Sequence, residues 1–288
     1  MTGGADLSVI VPVYRQWAEL PALIAALAAQ QAPGCAVEIL IVDNDPDPSP
    51  PRPVLPSGAR YLRCAAPGSY AARNAGAAQA RGALLAFTDA DCRPHPGWLA
   101  ALCQAARQSP ACLLAGPVEI AMPPAPNDWE IFDAVRGIPQ ALFIAHGYAA
   151  NANLAVPADV FRALGGFDAK RLSGGDAEFC RRAGAAGHPL VLVPDAVVDH
   201  PARDSFAALA TKARRIKGGQ VAAGPLRRRI LWTLRSLAPP LRECWHYLRS
   251  PRPWRYRRVA MRVRFRLWWV ELDELARLLT GRTAPERR

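Results

Sequence analysis

A chain of 288 residues is long enough for one large domain plus an appendage. Half of it is hydrophobic, which excludes a disordered or fibrous protein. The net charge of +12 is unevenly placed: residues 214–288 hold 20 Arg or Lys against 5 Asp or Glu, whereas residues 1–213 hold 16 against 19.

Leu7–Val13 is a short apolar run rich in β-branched residues and reads as a buried strand. A helical pattern over Trp17–Gln31 follows, broken by Pro33-Gly34. Val37–Val42 is a second buried strand, ending at Asp43-Asn44-Asp45-Pro46, and 46–58 is a Pro-rich surface loop. Ala59–Cys64 predicts a third strand, Ser69–Arg81 a helix and Ala83–Thr88 a fourth strand. This alternation implies a mostly parallel sheet with helices on both faces. A helix to about Gln108, a strand over Leu113–Ile120 and a Pro-rich loop over 121–128 come next. The pattern from 129 to 188 is mixed and ends in a helix over Asp176–Ala186, before a final strand over Leu190–Val198. Near Ser205 the composition changes, and Arg and Trp begin to dominate.

Seven cysteines follow no C-x-x-C spacing, which speaks against a disulfide framework or zinc site and for a reducing cytosol. The opening residues lack a basic run, so no secretory signal is expected, and no uncharged apolar run reaches the ~18 residues that span a bilayer. A cytoplasmic protein that touches a membrane only from the side is the expectation.

Ligands of an open α/β sheet bind beyond the carboxyl ends of its strands. Those ends read Pro12-Val13-Tyr14, then Asp43-Asn44, then Asp89-Ala90-Asp91. Asp89 and Asp91 are two residues apart, so in extended chain both carboxylates can face one ligand. Two hard oxygen donors suit Mg2+ or Mn2+, and such a cation suits a diphosphate that an acidic crevice would otherwise repel. Arg73, in Ala72-Arg73-Asn74-Ala75-Gly76, reads either as a phosphate-binding cation or as a surface residue on an Ala-rich packing helix. Asp176, behind Gly174-Gly175, reads as a helix cap or as a general base. His200 is a surface residue or the completion of a metal site begun by Asp91.

Taken in order, these segments resemble the family 2 inverting glycosyltransferases of the GT-A fold over about residues 7–202. Val9-Ile-Val-Pro-Val-Tyr14, Val42-Asp43-Asn44, Ala72-Arg73-Asn74-Ala75-Gly76, Thr88-Asp89-Ala90-Asp91, Gly165-Gly-Phe-Asp168 and Gly175-Asp176 carry the likeness. The resemblance implies an α/β fold with a Rossmann-like, mostly parallel sheet flanked by helices, and a catalytic domain over 1–205. Its nucleotide-sugar half would span about 7–120 and its acceptor half about 121–205. It implies that Asp43 binds the nucleotide base, most often uracil, against a wall of Pro12 and Tyr14, with Arg73 near the donor ribose or phosphates. Asp91 would bind the metal directly, Asp89 would lie toward the ribose or the ion, and His200 would help hold the metal. Asp176 would be the base that deprotonates the acceptor, and Asn151, Asn153 and Asp168 would line the acceptor side. Two departures stand out: Asn44-Asp45-Pro46 replaces Asp-Gly-Ser, and Gly175 replaces a Glu, with Glu178 as a compensating carboxylate. The alternative is a catalytically silent sugar-nucleotide or membrane-binding module.

Residues 206–288 carry none of these motifs. They hold five of the eight tryptophans, at 232, 245, 254, 268 and 269, interleaved with arginine. That pattern suits an anionic membrane surface at the headgroup level, although the stretch 259–270 is not cleanly helical. Helices packed on a catalytic domain are the competing reading. Nucleic acid, which also attracts basic aromatic patches, does not suit an acidic sugar-transfer crevice. The expected partners are therefore a nucleoside-diphosphate sugar, a glycan or lipid-linked acceptor and an anionic bilayer.

Overall fold

The computed structural model describes residues 6–47, 52–171, 173–222 and 225–281, and the chain divides into two units. Four residues of the predicted Pro-rich loop, 48–51, lie outside the described residues, as do the first five, the last seven, Leu172 and the pair 223–224.

The first unit comprises Met1–Glu119, Ile138–Lys170 and Gly175–His200. Its elements in chain order begin with β1 (Leu7–Val13), α1 (Leu20–Ala28), β2 (Val37–Asp43), β3 (Ala59–Arg63), α2 (Ser69–Gln79), β4 (Leu84–Phe87), β5 (Arg93–Pro94) and α3 (Trp98–Gln108). They continue with β6 (Leu113–Ala115) and β7 (Val118–Ala121), the latter leading into α4 (Asp128–Arg136) of the second unit. After α4 come α5 (Gln140–Ala145), β8 (Leu154–Pro157), α6 (Ala158–Ala163), α7 (Gly175–Ala185), β9 (Leu190–Leu192) and β10 (Val198–Pro201). The main sheet runs β3-β2-β1-β4-β8-β6-β9. β3, β2, β1 and β4 are parallel neighbours, and β8 is antiparallel to both β4 and β6. The α/β class with a mostly parallel sheet is thus as the sequence implies. β1 is fully buried because it lies at the centre, with β2 on one side and β4 on the other. Pro12 is tolerated in it because pairing with β4 ends at Ile10, so the missing N–H has no strand to serve.

Two strands expected to be continuous are each broken in two. Leu113–Ile120 splits at Gly116-Pro117, where a Cβ on Gly116 would stand 1.8 Å from the Ala196 carbonyl. Leu190–Val198 splits at Pro194, which cannot donate in a ladder. The second half of each pair leaves the main sheet and enters a small one, β5-β10-β7. The helix over Trp17–Gln31 is shorter than its pattern; it begins near Pro21, at a position where the missing donor costs nothing.

Apolar layers cover both faces of the main sheet. One packs Leu20, Leu23, Trp98 and Leu102 against Val9, Val11 and Ile41. The other packs α2, Phe161, Phe167 and Phe179 against Ile10, Leu40 and Phe87. Cys35 and Cys103, both within the first layer, form a disulfide across 68 residues, while the other five cysteines are free. The scattered spacing gave no reason to expect that bridge; the sheet face brings the pair together.

The second unit comprises Ile120–Gly137, Arg171–Gly174 and Pro201–Arg288. It contains α4, α8 (Phe206–Ala222), α9 (Leu226–Leu237), α10 (Leu241–Leu248) and α11 (Trp254–Leu279). α4 starts at a capping box, with Asn127 accepting from Glu130 N–H and Glu130 accepting from Asn127 N–H. Its core joins Ile131 and Phe132 to Leu209, Tyr247, Val259, Val263 and Leu267. The last three recur every four residues, so the stretch without clean periodicity is one continuous helix of 26 residues. No helix among the described residues is long and apolar enough to cross a membrane.

Candidate active site

The carboxyl ends of β1, β2 and β4 lie side by side, since the sheet order places β1 between the other two. Asn44 N–H donates to the Val13 carbonyl at 2.9 Å, joining two of those ends directly. The candidate site grows from this edge.

Thr88-Asp89-Ala90-Asp91 follows β4 and leads within two residues into β5. β5 pairs antiparallel with β10 in a register that sets Asp199 against Arg93. That register carries the next residue of β10, His200, back toward Asp91. His200 Nε2 lies 3.9 Å from Asp91 Oδ2, and both side chains are largely buried. Gln16, in the loop after β1, donates to the same Oδ2 at 3.0 Å. Asp91 Oδ1 is buried and makes no hydrogen bond. A buried carboxylate oxygen without a donor is costly unless something positive meets it, so this pair of residues suits a cation. Asp89, Asp91 and Cys92 have side-chain ligand atoms within 4.8 Å of one another. Cys92, however, is fully buried in the core, and burial, assisted by the charges of Asp89 and Asp91, pushes its thiol well up. A soft sulfur so placed suits a hard divalent ion less than the two carboxylates do. Asp91, Asp89 and His200 are the residues that could hold a hard divalent ion.

Asp89 forms an ion pair with Arg73, whose side chain is only 5% exposed. Arg73 is therefore no surface residue of a packing helix. α2 lies close on the sheet because Gly76 permits it: a Cβ there would meet Ile10 Cγ2 at 2.5 Å. Asn74, the next residue of the motif, clamps a distant turn. Its Nδ2 donates to the Phe167 carbonyl at 2.7 Å and its Oδ1 accepts from Phe167 N–H at 2.9 Å. That turn needs Gly165 and Gly166, at φ 75° and 70°. Asp168, at its end, is exposed, and its carboxylate accepts from Lys170 N–H at 3.1 Å.

Asp176 is the second residue of α7, behind Gly174 and Gly175. Burial pushes its carboxyl pKa up, against the opposing pull of Ala177 N–H, the Arg73 charge and Asn151 N–H. Tyr70, from α2, meets this segment directly: its hydroxyl accepts from Gly175 N–H at 2.9 Å and donates to Asp176 Oδ1 at 3.4 Å. A Cβ on Gly175 would lie 2.8 Å from the Tyr70 ring. The Glu usual at that position therefore has no room here, because Tyr70 occupies it. Glu178 does not compensate, since it is bound by Arg182 at 2.9 and 3.0 Å one helical turn away.

Asn151 and Asn153 differ sharply. Asn153 accepts from Trp98 Nε1 at 2.9 Å and donates to the carbonyls of Pro117 and Ala196 at 2.9 and 2.6 Å. Its amide ties together segments that meet where β6 and β9 end. Asn151 is 5% exposed, yet both of its side-chain polar atoms lack a partner. Such an amide has a donor and an acceptor to offer a ligand.

At the base end, Pro12 is buried in β1 and Tyr14 is partly exposed beneath the Arg15 guanidinium. Arg15 itself takes a left-handed φ of 56°, uncommon for a residue with a side chain. Asp43 is fully buried; its Oδ2 accepts from Arg52 and Arg63 at 2.8 and 3.0 Å, and its Oδ1 from Asp45 N–H at 3.0 Å. Asn44, where the usual motif has Asp, bonds the carbonyls of Cys64 and Ala66 and accepts from Gly68 N–H. It thereby fixes the loop that introduces α2.

Gln16, Tyr70 and Asn74 were not singled out in the sequence. Asn74 falls inside the Ala72–Gly76 motif, whereas nothing in the sequence points to Tyr70 or Gln16.

An open sheet carrying an Asp-x-Asp pair at the carboxyl ends of its strands, with an arginine and a half-buried carboxylate beside it, has the arrangement of a sugar-nucleotide transferase of the GT-A class. A solved mannosyltransferase of Pyrobaculum calidifontis, in complex with GDP-Man and Mn2+, shares this fold at a TM-score of 0.58 and 15% identity, over 98% of this chain and 89% of that one. The family model for glycosyl transferase family 2 matches residues 8–151, and the chain belongs to that family. Glycosyltransferase AglE of Haloferax volcanii is 32% identical over 222 residues, 75% of this chain and 73% of that protein. Succinoglycan biosynthesis protein ExoM of Rhizobium meliloti is 30% identical over 224 residues, 73% and 72% of the two chains. The protein is a glycosyltransferase.

Proposed function

We propose that the protein is a metal-dependent inverting glycosyltransferase, moving a sugar from a nucleoside-diphosphate sugar, a UDP-sugar by the family resemblance, to a hydroxyl of a glycan or lipid-linked acceptor. The observation that carries this reading is the set of unsatisfied buried groups around one sheet edge: Asp91 Oδ1, Arg73 Nε and both polar atoms of the Asn151 amide. Arg73 pairs with Asp89 and its charge acts on Asp176, which Asn151 N–H also meets, so these groups belong to one site that suits a diphosphate and a sugar.

Asp91, Asp89 and His200 would hold Mn2+ or Mg2+, which supplies charge neutralisation for a departing diphosphate. Arg73, fixed by Asp89, adds a permanent positive charge near the same group. Asn151 offers a donor and an acceptor to sugar or acceptor hydroxyls. Asp168, exposed at its turn, and Asn153, through the scaffold it ties, belong to the acceptor side. Asp176 takes the proton of the incoming hydroxyl, whose oxygen bonds to the anomeric carbon as the bond to the diphosphate breaks. One displacement inverts the configuration and needs no enzyme nucleophile. Burial helps Asp176 here, because a carboxylate with a raised pKa is a stronger base. Tyr70 positions it from behind. Pro12 and Tyr14 would wall the base, which Asp43 reaches only when Arg52 or Arg63 shares its carboxylate or swings aside.

The basic helical unit would bring the enzyme to an anionic membrane surface. The sequence argument for a reducing compartment is removed by the Cys35–Cys103 bridge. Placement on the cytoplasmic face therefore rests on the donor, since sugar nucleotides are made from nucleoside triphosphates inside cells.

A screen of sugar nucleotides for nucleoside-diphosphate release, with Mn2+ or Mg2+ and with EDTA, tests the reading. Release from one donor or a few that EDTA abolishes is expected. No release from any donor above the rate without protein would favour the silent binding module.

A further inference from the structure

α9 is built inside out. A helix of a water-soluble unit buries its apolar stripe and exposes its polar one. α9 instead buries a single residue, Ser236. The Ser236 hydroxyl accepts from Lys217 Nζ at 2.8 Å, and its carbonyl accepts from Trp268 Nε1 at 3.0 Å. Lys217 is in turn paired with Glu271 at 3.3 Å, and Glu271 with Arg264 at 3.1 Å. The first turn of α9 is tied down in the same polar manner: Arg229 Nε donates to the Val221 carbonyl at 2.8 Å, and Arg228 to that of Gln220 at 3.3 Å. A network of polar bonds thus holds α9 on α8 and α11.

The opposite face is aliphatic. Leu226, Ile230, Leu234 and Leu237 recur every three or four residues, which places them on one stripe with Leu231 beside it, and all five are between 51% and 66% exposed. On α10, Leu241 and Trp245 are likewise 64% and 55% exposed. Scattered exposed leucines need no explanation, whereas an apolar stripe along one face of a helix marks a contact surface. Exposed arginines edge it: Arg227 and Arg235 on α9, Arg242 on α10 and Arg249 just past its end.

Charge selects the occupant. A second copy of the chain would set those arginines against their own images across a two-fold axis. An anionic bilayer would meet each with a lipid phosphate while receiving the leucines and Trp245 at the headgroup boundary. The Arg/Trp run of α11 is less free than its composition suggests. Val259, Val263 and Leu267 are buried in the core of the unit, Arg266 stacks on Trp129 and Phe206, and Arg262 pairs with Asp128.

We infer that the α9–α10 face, from Leu226 to Trp245, is the surface that docks onto an anionic lipid bilayer. This deepens the membrane reading given above and rests on it.

The test is flotation of the full-length protein with phosphatidylcholine vesicles, with and without phosphatidylglycerol, for the wild type, Ile230→Gln/Leu234→Gln and Val54→Glu. Val54 is an exposed apolar control in the first unit, at 92% exposure. The wild type and the Val54 variant should bind the anionic vesicles, and the double variant should bind roughly 100-fold more weakly. Quenching of tryptophan fluorescence by bromolipids should fall in Trp245→Phe, which gives a second readout on a protein with both aliphatic side chains intact. If the wild type binds neither kind of vesicle, the membrane reading falls and the assignment of this face with it. If the wild type binds anionic vesicles and the double variant binds equally well, the membrane reading survives and the α9–α10 face is the wrong one. A wild-type dimer that binds no vesicles, and that the double variant renders monomeric, would assign the face to a second copy instead.

Discussion

Replacing Tyr70 with Phe removes one oxygen and leaves the ring in its packed place between α2 and α7. That oxygen accepts from Gly175 N–H and donates to Asp176 Oδ1. A hydrogen bond to a charged group contributes roughly 1.5–3 kcal/mol, and at 3.4 Å the Asp176 bond belongs at or below the low end, about 1 kcal/mol. Because the hydroxyl donates to the ionised carboxylate, its loss disfavours that form and raises the Asp176 pKa further. At 1.36 kcal/mol per unit, the expected rise is roughly 0.7 of a pH unit. Asp176 acts deprotonated, so the acidic limb of kcat/KM against pH should move upward by that amount, with activity at high pH largely retained. The assay is nucleoside-diphosphate release across a pH series, with the melting temperature of each variant as a check on folding. An acidic limb that stays in place while turnover falls equally at every pH would refute the positioning role of Tyr70 and leave it a packing residue. Gly175→Ala approaches the same contact from the other side. Its Cβ meets the ring at 2.8 Å, so it should weaken the fold by about 1–3 kcal/mol and lower turnover.

Asp176→Asn should abolish most activity, by about 10²–10⁴-fold, yet should not destabilise the protein at neutral pH. The folded-state pKa of Asp176 is raised by burial, so its ionised form opposes folding. That penalty is absent below the unfolded carboxyl pKa and complete above the folded one. The variant should therefore melt at an equal or higher temperature than wild type above neutral pH, with the difference vanishing as the pH falls below ~4. Thermal melts across pH check this, and a large loss of stability at pH 8 would contradict it. Gly116→Ala should be among the most damaging single-methyl changes, costing about 3 kcal/mol or more, because its Cβ would overlap the Ala196 carbonyl at 1.8 Å. Chemical denaturation measures that directly.

The sequence was informative where chemistry and topology coincide. Buried strands such as Leu7–Val13 announce themselves through unbroken β-branched runs, and their carboxyl ends locate the crevice without further help. Asp89 and Asp91 stand just past such an end, whereas Arg73 and Asp176 lie on α2 and α7, where the family motifs rather than the strand ends single them out. Contacts across long separations could not be read in that way. Asn153 looks like a polar residue for a ligand, yet it links Trp98, Pro117 and Ala196, which only the folded sheet brings together. Tyr70 and Gly175 are 105 residues apart, and neither suggests the other until the ring is seen filling the space a glutamate would need. The disulfide was missed for the same reason, since nothing local marks Cys35 as the neighbour of Cys103. In the basic unit, composition does not tell which residues pack and which face outward. Arg-rich α11 supplies core, while the apolar seam is turned outward on α9 because α9 is held by its polar side.

The proposed transfer at the Asp89–Asp91 edge is metal-assisted. Its most direct measurement is nucleoside-diphosphate release from a sugar nucleotide in Mn2+ by the wild type and by Asp91→Ala, both confirmed as folded by their melting curves. Release by the wild type and its loss by two orders of magnitude or more in the variant is the expected result. Equal rates for the two proteins would contradict it.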